Sequence, residues 1–177
     1  KSFSVIEYMI ADDAATIIQR WWRKKKTKQL KRILFVSCRV SLSESIMPRM
    51  NGNNDDEALK SKLRDLGFKH YKDITAHTTN GVLNTFAAVP RLVCQLQSLH
   101  KCEYASYDWI ILDEWESIAN QFQARDTHTK GVTLTKTCHT FERLIKLSQK
   151  TIVMDAYLFR RSRLFFEMVT HTKPFLL

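Results

Sequence analysis

Four short, unbroken apolar runs constrain this chain more than any other feature. They are Ile33-Leu34-Phe35-Val36-Ser37-Cys38, Arg91-Leu92-Val93-Cys94-Gln95-Leu96 (introduced by Pro90), Asp108-Trp109-Ile110-Ile111-Leu112-Asp113 and Thr151-Ile152-Val153-Met154-Asp155. Each is too short for a buried helix and lacks the alternation of a strand with one wet face, so each reads as a strand buried on both sides. Helical patterns lie between and after them: Ser41–Met47 ending near Pro48, Glu57–Leu66 closed by Gly67, Thr137–Leu147 and Tyr157–Val169. Asn51–Asp56 reads as a loop and Asn80-Gly81 as a turn. Buried strands alternating with helices predict an α/β fold, a parallel sheet covered by helices on both faces.

A length of 177 residues suits one domain with a short appendage. No apolar run approaches the roughly 18 residues of a membrane span, so no membrane partner is expected. No leader pattern is visible, and an opening lysine suggests a fragment or a processed product. Cys38, Cys94, Cys102 and Cys138 lack the spacing of a zinc site, and two of them sit inside strand-like runs as small hydrophobes. Reduced cysteines of an intracellular protein are expected, with no metal–cysteine site.

The formal charge is +10, and eight of those charges lie between Arg20 and Arg32 with no acid among them. Residues 14–30 read as a basic amphipathic helix with Ile17, Ile18, Trp21 and Trp22 on its apolar stripe and Asp12 or Asp13 as its cap. Such a segment is a handle for phosphates or an acidic surface, or else a solvated face that packs on the sheet through its tryptophans.

In open parallel sheets, ligands bind beyond the carboxyl ends of the strands. The third run delivers Asp113-Glu114-Trp115-Glu116 to that edge. A nucleoside triphosphatase needs such a pair: one carboxylate for a Mg²⁺-bound water and a second to orient or deprotonate the attacking water. The plainer reading is an acidic cap for the following helix. The other runs lead into Ser37-Cys38-Arg39, Gln95-Leu96-Gln97-Ser98 and Asp155-Ala156. For these, loop capping and strand-edge hydrogen bonds are the alternatives.

Taken in order, Phe35–Arg39 with Leu42 and Ser45, Val93–Leu99, Tyr107-Asp108 through Asp113–Ser117, and Asp155-Ala156 resemble the first motor lobe of superfamily 2 helicases. The resemblance is specifically to the replication origin-binding proteins of herpesviruses and related large DNA viruses, over about residues 32–170. It implies a RecA-like parallel sheet preceded by the basic helix, with residues 1–31 as the helix segment and 32–177 as a partial lobe. It implies that Asp113 holds Mg²⁺, that Glu114 acts on the water, and that Asp113 and Glu114 are the catalytic pair for ATP. By the same resemblance Ser37, Arg39, Gln95 and Ser98 contact DNA through backbone phosphates or sugars, and Asp155 and Ala156 couple nucleotide state to DNA grip. The implied function is an ATP-dependent DNA helicase serving viral DNA replication, in the host nucleus or a cytoplasmic replication compartment.

The phosphate loop of such motors, GxxxxGK[ST], does not occur in the chain. Its place holds Ile10-Ala11-Asp12-Asp13-Ala14-Ala15-Thr16, so the chain alone is expected not to hydrolyse ATP efficiently. The next residues resemble an IQ motif, IQxxxRGxxxR: Ile18, Gln19 and Arg23 match, Lys24 replaces the glycine, and Lys28 stands for the last arginine. A second expectation follows, that of a non-enzymatic module binding a calmodulin-like partner through this helix.

Overall fold

A computed structural model describes residues 5–9, 31–50, 66–74, 85–123, 134–157, 159–170 and 175–176. The order is β1 Val5–Met9, β2 Ile33–Ser37, α1 Val40–Met50, β3 Lys69–His70, a 3-10 turn Tyr71–Asp73, α2 Thr85–Ala88 and β4 Arg91–Gln95. A 3-10 helix Leu96–Cys102 follows, then β5 Trp109–Asp113, α3 Trp115–Gln123, α4 Leu134–Leu147, β6 Lys150–Met154, α5 Arg160–Thr170 and β7 Phe175–Leu176. The seven strands form one sheet in the order β3-β4-β2-β5-β6-β1-β7, and every pairing is parallel. The α/β architecture expected from the apolar runs is therefore present.

Burial follows the two-residue period of a strand. Leu34 and Val36 of β2 join Leu92, Cys94, Ile110, Leu112 and Val153 on one face, under α3, α4, α5 and the 3-10 helix. Ile33 and Phe35 join Val93, Trp109, Ile111 and Ile152 on the other, against Ile46 and Met50 of α1 and Phe68. Alternate side chains serve opposite cores, so every position of β2 must be apolar or small, which is why the run was unbroken. The aromatic cluster of Trp115, Phe141, Phe165 and Phe166 anchors the first face; Trp115 and Phe166 have ring centroids 4.7 Å apart.

Three differences from the sequence reading have physical causes. The helix after β2 runs through Pro48 to Met50 rather than ending there. Buried Ile46 and Met50 hold that last turn on the sheet, and Leu66 N–H donates to Met50 O at 3.1 Å. A strand at Val5–Met9, ahead of the helix expected over residues 14–30, was not foreseen, and it pairs with β6 and β7. Finally, Lys31 and Arg32 are not part of a free basic handle. Arg32 donates to Ser106 O at 2.7 Å and Ala87 O at 2.6 Å, its N–H meets Asp108 Oδ2 at 2.8 Å, and Lys31 Nζ reaches Gln149 at 3.0 Å. Both tie the starts of β2, β5 and β6 together, at the edge of the sheet opposite the strand tips. The remainder of the basic helix, residues 14–30, lies outside the described residues, as do the predicted loop at 51–56, the helix at 57–65 and the turn at 80–81.

Candidate site at the carboxyl ends of the strands

Because every strand runs the same way, their carboxyl ends share one edge. The register places Ser37 opposite Gln95, Val36 opposite Leu112, Asp113 opposite Met154, and Met9 opposite Met154 from the far side. Residues expected to carry function thus leave the sheet at one level: Ser37 and Arg39 from β2, Gln95 from β4, Asp113 and Glu114 from β5, and Asp155 and Ala156 from β6. The chain leaves β1 at this edge too. Ile10 to Thr16, where a phosphate loop would stand, lies outside the described residues, and so do Ile18, Gln19, Arg23 and Lys28 of the IQ-like segment.

On the nucleic-acid side, Ser37 is buried and its Oγ donates to Arg39 O at 3.1 Å, a tight turn that leaves the Arg39 side chain exposed. Gln95 is half-buried and its Oε1 accepts from Tyr71 Oη–H at 2.9 Å, so its amide is oriented from the neighbouring 3-10 turn. Burial pushes the Tyr71 phenol up from its usual range, which keeps it a donor. Ser98 is half-buried on the 3-10 helix beyond β4, not on a strand edge.

On the carboxylate side, Asp113 and Glu114 are both half-buried, and Glu114 has φ +53°. A left-handed backbone at a residue with a side chain is strained, and such strain gathers at functional tips. The buried Cys38 thiol donates to Glu114 Oε2 at 3.1 Å, while Gln121 Nε2 of α3 donates to Cys38 O at 2.7 Å. Burial, then the hydrogen bond to Glu114 and its negative charge, push the Cys38 thiol up to about 12, so it stays protonated and remains the donor. Asp155 Oδ2 accepts from Glu116 N–H at 2.8 Å and its Oδ1 from Tyr157 N–H at 3.1 Å. The acidic residue at the end of β6 therefore caps the helix that follows Asp113-Glu114. Ala156 beside it is exposed.

Glu116 is a member of this site that sequence reasoning passed over. It is buried, yet it accepts from both Nε and Nη2 of Arg161 (3.1 and 2.8 Å), from Phe159 N–H at 3.2 Å and from Ser162 Oγ–H. Burial alone would raise its carboxyl, but the hydrogen bonds from Ser162, Arg161 and Phe159 outweigh that and hold it below the usual range. Its place in Asp113-Glu114-Trp115-Glu116 was the only signal; the partners lie more than forty residues on, in the turn before α5 and in α5 itself.

Asp113 and Glu114 supply hard oxygen donors, which suit a Mg²⁺ ion that keeps most of its waters and takes one or two carboxylates. No group of three or more His, Cys, Asp or Glu side chains able to hold a metal occurs among the described residues. None of the helices among the described residues is long and apolar enough to cross a membrane.

Known proteins resemble this chain in sequence and in fold. The model of the origin of replication binding protein family matches residues 10–174. The replication origin-binding protein of human herpesvirus 6A (strain Uganda-1102) is 34% identical over 135 residues, 76% of this chain and 14% of that protein. The replication origin-binding protein of human herpesvirus 6B (strain Z29) is 33% identical over 144 residues, 81% of this chain and 15% of that protein. The chain thus spans about one seventh of the length of these relatives. The crystal structure of the DUF1998 helicase MrfA bound to DNA and AMPPNP superposes with a TM-score of 0.50 at 10% identity, covering 99% of this chain and 24% of that one, which shows a shared RecA-like α/β fold. On the extent of the family match, and on the identity to two of its proteins, the chain belongs to the origin of replication binding protein family.

Proposed function

We propose that this chain is the part of a viral replication origin-binding helicase that grips DNA and holds the nucleotide's reacting end, and that it works inside the cell where viral DNA is copied. The observation that carries the reading is the convergence of Ser37, Gln95, Asp113, Glu114 and Asp155 on one edge of the sheet. Mg·ATP, when bound, would supply the energy of phosphoryl transfer. Asp113 would hold the metal-bound water, and Glu114 would orient the attacking water and take its proton. Arg39 offers an exposed cation and Gln95 and Ser98 offer half-buried neutral hydrogen-bonding groups, which together suit the backbone of a DNA strand rather than its base edges, while Ser37, fully buried and bonded to Arg39 O, would hold that turn in place rather than touch the strand. Asp155, through the Glu116 N–H, ties the end of β6 to the helix behind the carboxylates, so movement at one is felt at the other.

The test is paired. Single-stranded DNA binding is followed against salt for the wild type and Arg39→Ala, and Mg·ATP binding for the wild type and Asp113→Asn. Arg39→Ala is expected to weaken all sequences alike and to reduce the salt slope by about 1. Asp113→Asn is expected to weaken Mg·ATP. Unchanged DNA binding in the first variant removes the nucleic-acid face, and unchanged nucleotide binding in the second removes the Mg²⁺ role of Asp113.

A further inference from the structure

The Cys38 thiol, just past the end of β2, donates to Glu114 Oε2, just past the end of β5, across 3.1 Å. The strand order gives that bond a direction. β5 has β2 on one side and β6, then β1, on the other. A phosphate loop would follow β1, so the reacting phosphates would lie on the β6 side of Glu114. The bond to Cys38 draws the carboxylate the other way, toward β2. Glu114 also leaves the sheet at φ +53°, a strained backbone that a side-chain tether helps to hold.

Three contacts fix Cys38 itself. Its thiol holds Glu114, its carbonyl accepts from Gln121 Nε2 at 2.7 Å, and its backbone is the middle of a turn closed by Ser37 Oγ–H to Arg39 O at 3.1 Å. Cys38 is buried, whereas the Arg39 side chain is exposed. A pull on the Arg39 guanidinium therefore reaches the cysteine through a single peptide bond. A thiol is a weak donor, so its bond can set a resting position and still be given up. We propose that Cys38 is a positioning residue that holds Glu114 turned away from the nucleotide until a DNA phosphate draws on Arg39, whereupon the thiol releases the carboxylate. The proposal rests on the DNA and nucleotide roles assigned above to Arg39 and Glu114. By linkage, DNA must meet the cost of breaking the bond, so a chain that lacks the bond binds DNA more tightly.

The experiment follows binding of an oligothymidylate strand to the chain by fluorescence anisotropy, and the Cys38 S–H stretch by infrared absorption. A thiol bonded to a carboxylate absorbs at lower frequency than a free one, and loss of the band in Cys38→Ser assigns it. At saturating strand the band is expected to rise to the free-thiol position. Cys38→Ala is expected to bind the strand about two- to tenfold more tightly than the wild type, the range of one modest hydrogen bond. Cys38→Ser keeps a donor and is expected to bind no more tightly than the wild type. A cysteine that merely fills the core would make both replacements bind equally or more weakly, and that result overturns the proposal. So does a strand that binds while the band stays in place, an outcome that leaves the DNA-binding reading intact. A wild-type chain that does not bind the strand removes that reading and the proposal together. If the variants do not fold, the lowest of the wild-type S–H bands, that of the thiol bonded to a carboxylate, decides alone.

Discussion

The Cys38 thiol donates a hydrogen bond to the Glu114 carboxylate across 3.1 Å, joining the end of β2 to the end of β5. The carbonyl of the same cysteine accepts from Gln121 at 2.7 Å, so one residue between Ser37 and Arg39 touches both the acidic tip and the helix behind it. The proposed DNA-facing turn and the proposed catalytic carboxylate are one hydrogen bond apart.

Glu114 holds φ +53°, a conformation that costs a residue with a Cβ about 1–2 kcal/mol and glycine little. Glu114→Gly and Glu114→Ala both lose the carboxylate and its bond to Cys38. Their difference isolates the backbone, and the glycine variant is expected to be more stable by about 1 kcal/mol. Urea midpoints measure this; equal midpoints would show that the backbone there is unstrained.

Glu116→Ala leaves Arg161, Ser162 and the Phe159 N–H without their acceptor and is expected to cost about 2 kcal/mol, the range of hydrogen bonds to a charged group. Arg161→Ala should cost less than about 1 kcal/mol, because that side chain is 52% exposed and its charge is screened. The carboxyl is held below its ordinary value of 4.5, so as pH falls below that value the unfolded chain takes up a proton before the folded one does. Stability supplied by Glu116 is present above pH 4.5 and drains away as pH drops through the folded value. Acid unfolding curves of wild type and Glu116→Gln should converge at low pH.

Asp155→Ala removes the acceptor for two backbone N–H groups, those of Glu116 and Tyr157. The expected loss is about 1 kcal/mol, typical of a lost helix cap. Amide exchange should quicken first in the opening turn of α3, and protection there equal to wild type would show that the cap is idle.

His70 is buried, its Nε2 lies 3.0 Å from Ser43 Oγ, and burial lowers its pKa from 6.5 despite the nearby Asp73 and Glu44 carboxylates. Below pH 6.5 the unfolded chain therefore binds the proton first, and stability falls as pH falls toward the folded value. His100 is lowered for the same leading reason, so both contribute. His70→Gln should flatten part of the slope between pH 7 and pH 5 in chemical denaturation; an unchanged slope would assign the whole effect elsewhere.

How far the fold could be read from the sequence depended on how locally each element is determined. β2, β4, β5 and β6 were legible because burial on both faces leaves no room for a polar interruption until the strand ends, and the same ends announced Ser37, Gln95, Asp113 and Asp155. Val5–Met9 was not, since Glu7 breaks its apolar run and its pairing depends on residues far along the chain. Lys69–His70 pairs over two residues, too few to leave a pattern. Pro48 read as a stop because local propensity gave no hint of Met50's buried seat. The site's wiring was the least legible part. Cys38 looked like a core cysteine, and it is one, but its bond to Glu114 exists only because two non-consecutive strands lie side by side.

The strand order has a consequence for how the molecule is made. Val5 pairs with Lys150, 145 positions further along the chain, and Glu7 pairs with Phe175. Val5–Met9 is thus made well before the strands it pairs with, and closing so long a loop is slow. β4, β2 and β5 can assemble in the meantime, leaving Val5–Met9 as a loose ribbon with open hydrogen-bonding groups. Until Phe175 arrives to cover its outer side, that ribbon can pair with any other unfinished copy nearby, and sheet-edge aggregation during synthesis is the hazard this topology carries.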